Sequence, residues 1–288
     1  MKGGLFMIKK FLFLVMILLA INILPVKAED ACSWYCKGMF YSLDNWTRDK
    51  AIEYFNKALE INPKYVEALY AKGILLQSGG KPEEAIICYD KAIEINPALS
   101  RIWYSRGLAY YEQSNNDEAI KCFDKGLEVD PKDIELFCWK GFILGIIQKK
   151  HEEGLKCYDK ALEIDPKEEN VWYGKGSVLE AQGKYEEALK CYDKVIELNP
   201  GGLANWYHKG VIYGKQGKHE EALKCYDKEL ESHNDYEMAW NGKGMSLYEL
   251  GKYEDAIKCF DKTLELQPGN SQAVEYKEKA VKALSDKK

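Results

Sequence analysis

The side chains of this 288-residue sequence best equipped for covalent or metal chemistry are nine cysteines and four histidines. Six of the cysteines, Cys88, Cys122, Cys157, Cys191, Cys225 and Cys259, recur at steps of 34 or 35 residues and are therefore one position repeated. Packed helices lie about 8–10 Å apart, whereas a disulfide needs Cα atoms within about 7 Å. The six thus read as small buried packing residues, not as a bridge framework. Cys32 and Cys36 stand at i,i+4 on an opening helix, where a metal pair or an intermolecular bridge remains an alternative to packing. His151 and His219 fall in turns, and neither they nor His208 and His233 sit in an HExxH or Cys-x-x-Cys pattern. Gly-Lys dipeptides recur, yet none is followed by Ser or Thr or preceded by a strand, as a phosphate loop requires. These residues predict no catalytic group, metal site or cofactor, and hence no enzyme. Asn45-Trp46-Thr47 is a glycosylation sequon, relevant only where exported proteins are glycosylated.

The elements that position these residues follow from the repeat. Prolines at 63, 97, 131, 166, 200 and 268 are separated by 34, 34, 35, 34 and 68 residues, and Asn234 stands where the missing one would fall. Each ends an amphipathic helix, because proline lacks an amide donor and disfavours the α conformation before it. A first helix in every period carries an aromatic or leucine, a glycine and a second large residue at offsets 0, 4 and 7. These sets are Trp34/Gly38/Tyr41, Leu69/Gly73/Leu76, Trp103/Gly107/Tyr110, Phe137/Gly141/Leu144, Trp172/Gly176/Leu179, Trp206/Gly210/Tyr213 and Trp240/Gly244/Leu247. Those offsets share one helical face. Glycine inside a helix costs about 1 kcal/mol, so its recurrence predicts a helix contact too close for a larger residue. Gly80-Lys81, Gly183-Lys184, Gly217-Lys218 and Gly251-Lys252 predict a carboxy-terminal glycine cap and a turn between helices.

At these residues the chain resembles the tetratricopeptide repeat family over about residues 31–270. The resemblance implies an all-α fold: a right-handed superhelical solenoid of seven helix–turn–helix repeats. Their spans are about 31–65, 66–99, 100–133, 134–168, 169–202, 203–236 and 237–270, with a capping helix over 271–288. Two departures stand out. The residue before each glycine, leucine in the family, is basic here: Lys37, Lys72, Arg106, Lys140, Lys175, Lys209 and Lys243. Its stem can lie along the helix with the charge in water, or the column can meet an acidic partner. The first and fourth repeats also carry one extra residue, expected between their helices before Ala51 and Gly154.

In the resembling family, the residues one and five after the opening aromatic line a concave groove that contacts an extended peptide or a partner helix. Carried over, the partner-binding residues are Tyr35, Met39, Tyr70, Ile74, Tyr104, Leu108, Phe142, Tyr173, Tyr207, Val211 and Met245, with Cys138, Ser177 and Asn241 as exceptions in the ladder. Tyrosine suits an interface through its area and hydroxyl; the plainer reading is packing between successive first helices. The family's carboxylate clamp needs Lys and Asn at these places, so a chaperone-tail clamp is not expected.

Lys2, Lys9 and Lys10 precede a run from Phe11 to Leu24 broken only by Asn22, followed by Pro25-Val26-Lys27-Ala28. Residues 1–28 read as an export signal or an amino-terminal membrane anchor. The chain is thus expected in the envelope or medium, touching a membrane only through that segment if it is uncleaved. Net charge is −5, and would be −9 after cleavage at Ala28. That excludes the basic excess nucleic acid requires. The partner expected is a protein or peptide, with no small-molecule substrate; a self-associating module of the envelope is the alternative.

Overall fold

A computed structural model describes residues 30–43 and 47–286. The export segment, together with Asn45 and Trp46 of the sequon, lies outside the described residues. Among those described there are fifteen helices and no strand. Chain contacts divide the protein between Leu136 and Phe137 into two units.

The first unit holds three helix pairs: α1 (Ala31–Tyr41) with α2 (Arg48–Ile61), α3 (Val66–Ser78) with α4 (Pro82–Ile95), and α5 (Ser100–Glu112) with α6 (Asn116–Val129). Each second helix ends two residues before its proline. Asn62, Asn96 and Asp130 then turn the chain, their side-chain oxygens accepting the amides of Lys64, Ala98 and Lys132 at 3.1 Å. Phe55, Tyr89 and Phe123 are fully buried and lie against the first-helix glycines. A Cβ on Gly38, Gly73 or Gly107 would come within 2.4–2.5 Å of those rings, closer than van der Waals contact permits. That is why glycine recurs here despite its helical cost.

The second unit contains α7 (Ile134–Phe142, from residue 137) with α8 (His151–Ile164), α9 (Glu169–Gln182) with α10 (Tyr185–Leu198), α11 (Asn205–Lys215) with α12 (His219–Ser232), and α13 (Glu237–Glu249) with α14 (Tyr253–Leu266). A single helix, α15 (Ser271–Ser285), closes it. Tyr158, Tyr192, Tyr226 and Phe260 repeat the ring-on-glycine contact with Gly141, Gly176, Gly210 and Gly244. The glycines expected to cap these helices adopt a left-handed φ: Gly80 at 74° in the first unit, and 81°, 72° and 72° at Gly183, Gly217 and Gly251.

The basic column resolves in favour of neither simple expectation. Lys175, Lys243 and Lys277 each bond an aspartate 16 residues earlier, on the second helix of the preceding pair: Asp159, Asp227 and Asp261, at 2.6 Å in all three cases. Lys209 pairs with Asp193 in the same way, and in the first unit Arg106 pairs with Asp90 at 2.7 Å. Lys175, Lys209 and Lys243 also stand 5.0–5.8 Å over Trp172, Trp206 and Trp240. The column therefore joins neighbouring pairs of the array. Lys277 continues it, so α15 stands in the register of a further first helix; it buries Ala273 and Ala280 and leaves Val274 and Val281 exposed.

The extra residue of the fourth repeat is not in the turn, as expected. It is absorbed inside the first helix, which passes from α7 into a π-helical turn over Ile143–Ile147. The physical reason is close packing. Gly154 stands where the other repeats carry alanine, and a Cβ there would lie 2.7 Å from the Gly145 backbone.

Candidate functional site

The residues expected to line a groove lie on the first helices. In the first unit Tyr35, Tyr70 and Tyr104 are half-buried, as are Met39 and Leu108, and Ile74 is 38% exposed. Each tyrosine leans on the buried ring of its own second helix: Tyr35 on Phe55 at 5.7 Å, Tyr70 on Tyr89 at 6.1 Å and Tyr104 on Phe123 at 6.4 Å. Ser105 Oγ donates to the Tyr70 hydroxyl at 3.3 Å. The ladder therefore supports the fold with one ring face and keeps partial exposure on the other.

In the second unit the residues of that set line two clefts. Phe142 and Tyr173 line a cleft of about 410 Å³ with Cys138, Trp139, Ile146 and Gly174. It sits beside the π-turn, and Gly174 packs directly on the buried Tyr158 ring: a Cβ there would be 2.5 Å from it. Tyr207, Val211 and Met245 line the other, of about 660 Å³, between α11 and α13. Asn241, Glu237, Met238, Glu249 and Gln272 complete its wall.

Between the tyrosines Tyr173 and Tyr207 lies a polar group that sequence reasoning did not find. Tyr173 Oη and His208 Nε2 are 2.9 Å apart, and His208 Nδ1 lies 3.3 Å from Glu180. Lys215 Nζ and the Tyr192 hydroxyl donate to the same carboxylate at 2.8 and 3.0 Å. Burial alone would raise the Glu180 pKa, but the bonds from His208 and Lys215 outweigh it and hold it at about 2. Burial raises the phenols of Tyr173 and Tyr207. His208 is singular among the first helices, and its partners lie 28 and 35 residues away, so no local spacing could flag it.

A second buried carboxylate fixes Tyr207. Glu229 is 1% exposed and stands where other second helices bury Ala92, Ala161, Val195 or Thr263. It accepts the amides of Ala204, Trp206 and Tyr207 at 2.8, 3.1 and 3.2 Å, and lies 2.9 Å from His233 Nδ1. Capping the start of α11 this way offsets the cost of burying a charge.

The recurrent thiols lack the environment of reactive cysteine. All nine are unbridged, and the six recurrent ones are buried; burial pushes Cys122, Cys191, Cys225 and Cys259 up to about 11. Cys32 is exposed and Cys36 half-buried. Among the described residues, no three His, Cys, Asp or Glu side chains converge as a metal site would need. No described helix is long and apolar enough to cross a membrane.

Stacked antiparallel helix pairs, each locked by a ring on a glycine, define a helical-repeat protein. Tetratricopeptide repeat models match residues 100–133, 169–201, 205–228 and 238–270, 33–65 and 134–168 and 54–87, and a TPR repeat model matches 77–114. The chain belongs to the tetratricopeptide repeat family, whose repeats serve as protein-interaction scaffolds. An uncharacterised protein of Methanocaldococcus jannaschii is 51% identical over 37 residues, 13% of this chain and 43% of that protein, so the match spans less than half of the relative. Similar solved structures include a tetratricopeptide repeat protein of Parabacteroides merdae, at 18% identity and TM-score 0.68 over 87% of this chain and 98% of that one. The C-terminal part of a TPR repeat-containing protein of Cytophaga hutchinsonii gives 16% and 0.69, over 84% and 98%. PilW, a type IV pilus biogenesis factor, gives 17% and 0.65, over 73% and 97%. These three likenesses concern the fold.

Proposed function

We propose that the chain holds an extended peptide segment of a partner protein along its first helices, with the principal seat in the second unit. The observation that carries this reading is the cleft between α11 and α13, about 660 Å³, where Tyr207, Val211 and Met245 converge. Apolar walls with a few placed polar groups are the usual make-up of a recognition site. A displayed library of random twelve-residue peptides, panned on the full chain, tests it. Enriched peptides should lose at least tenfold in affinity for Tyr207→Ala/Met245→Ala; undiminished binding to that variant would remove the groove from the reading.

We also place the protein outside the cytoplasm, on the support of Lys2, Lys9 and Lys10 before the apolar run from Phe11 to Leu24. Fractionation of cells followed by amino-terminal sequencing checks this: a chain beginning at Glu29, or an intact chain in the membrane fraction, is expected, and an intact soluble cytoplasmic chain would refute it. A second reading, self-association, draws on the exposed Val274 and Val281 of α15. Sedimentation of the full protein separates the two, since a monomer at all concentrations eliminates self-association.

A further inference from the structure

The larger cleft carries more chemistry than an apolar seat. At the ladder position of α13 stands Asn241, only 8% exposed. Its Nδ2 donates to Gln272 Oε1 at 2.6 Å, and its carbonyl oxygen has no hydrogen-bond partner. A buried acceptor left unmatched costs about 1–3 kcal/mol, so a donor brought to it by a ligand is favoured. Gln272 is an exposed side chain at the start of α15. Glu237 precedes Asn241 by one helical turn, about 6 Å of rise, and borders the same cleft, as does Glu249 at the far end of α13. The lysine of the cleft, Lys215, is already held by Glu180 at 2.8 Å, and His219 is the other titratable group of its wall besides the phenols. Tyr207, Met238 and Met245 give apolar surface along which methylenes can lie.

We infer that this cleft receives a lysine or arginine side chain of the bound segment, its cationic head between Glu237 and the Asn241 carbonyl and its stem along Tyr207 and Met245. The inference rests on the groove reading and specifies the chemistry of one residue of the partner. A cation supplies only donors, which suits a carboxylate beside an unmatched acceptor, and a long stem pays little to lie on apolar surface.

The test uses three small probes: N-acetyl methylamides of arginine, lysine and norleucine, the last matching the stem without the charge. With the methionine methyls of the full chain labelled for NMR, each probe is titrated while the Met238 and Met245 signals are followed. The two basic probes should bind at least fivefold more tightly than norleucine, and Glu237→Gln should bring all three within twofold. Thermal unfolding of the variant, expected unchanged, shows that the fold is retained. Equal binding of the three probes to the native chain, or a basic preference that survives Glu237→Gln, overturns the inference. Its failure is distinct from that of the groove reading: displayed peptides that depend on Tyr207 but carry no basic residue would leave the groove standing and the cation site refuted.

Discussion

At the residue scale, single side chains whose surroundings are fully specified make the sharpest expectations. A methyl group on Gly107 would lie 2.4 Å from Phe123 Cε1, and the ring is fully buried with no room to withdraw. Gly107→Ala should therefore destabilise the first unit by about 1–3 kcal/mol despite its better helix propensity, read as a lower urea midpoint. Glu180 behaves differently because its carboxyl is held at about 2 in the folded protein, below the roughly 4.3 of a free glutamate. The unfolded chain binds the extra proton between those values, so stability rises with pH across that window and is fully present above it. Urea midpoints measured from pH 2 to 6 should show this rise in the native chain and a shallower one in Glu180→Gln. The glycine contact was legible in the sequence because it recurs seven times. The Glu180 cluster was not, because His208 occurs once and meets its partners only after the helices have stacked.

At the scale of the element, turns and insertions decide what the repeat tolerates. Most inter-helix turns place glycine at positive φ, but Ser114 in the third repeat and Lys149 in the fourth adopt 60° and 56°. That region costs a side chain about 1–2 kcal/mol. Ser114→Gly should raise stability by about 0.5–1 kcal/mol after glycine's greater chain entropy is set against that relief, visible as a higher Tm. The π-turn at Ile143–Ile147 shows where sequence reading stops. Counting from Gly141 to Gly154 reveals one residue too many, yet the count cannot say whether a loop or a helix absorbs it. The close approach of Gly145 to Gly154 decides the matter, and it exists only in three dimensions. Likewise Asn241 could be read as an exception in a tyrosine ladder, but its unmatched oxygen could not.

At the scale of the whole molecule, the recurrent thiols report on how the array comes apart. Cys88, Cys122, Cys157, Cys191, Cys225 and Cys259 are buried, whereas Cys32 is exposed. Iodoacetamide at neutral pH, read by mass spectrometry, should modify Cys32 first and the six only through opening of the helices around them. Cys259 packs in a cluster with Phe260 and Ala273 of α15. Removing residues 271–288 should expose it and make it the fastest of the six to label, because a repeat array is held by nearest-neighbour contacts. Labelling of all six at one common rate in that shortened chain would show instead that the array opens as a single unit.

The two irregular contacts of the second unit bear on a hazard that uniform repeats create. Helix pairs this alike, several of them offering a basic residue to an aspartate of the preceding pair, could dock on the wrong neighbour and still satisfy every repeated bond. Gly145, wedged against Gly154 and Val178, makes a glycine-on-glycine contact that no other described repeat shows. Glu229, reaching the amides of Ala204, Trp206 and Tyr207, is equally unrepeated. Such contacts work as addresses: a chain that skipped or exchanged a pair would leave a carboxylate buried without donors, so only the correct order closes without that penalty.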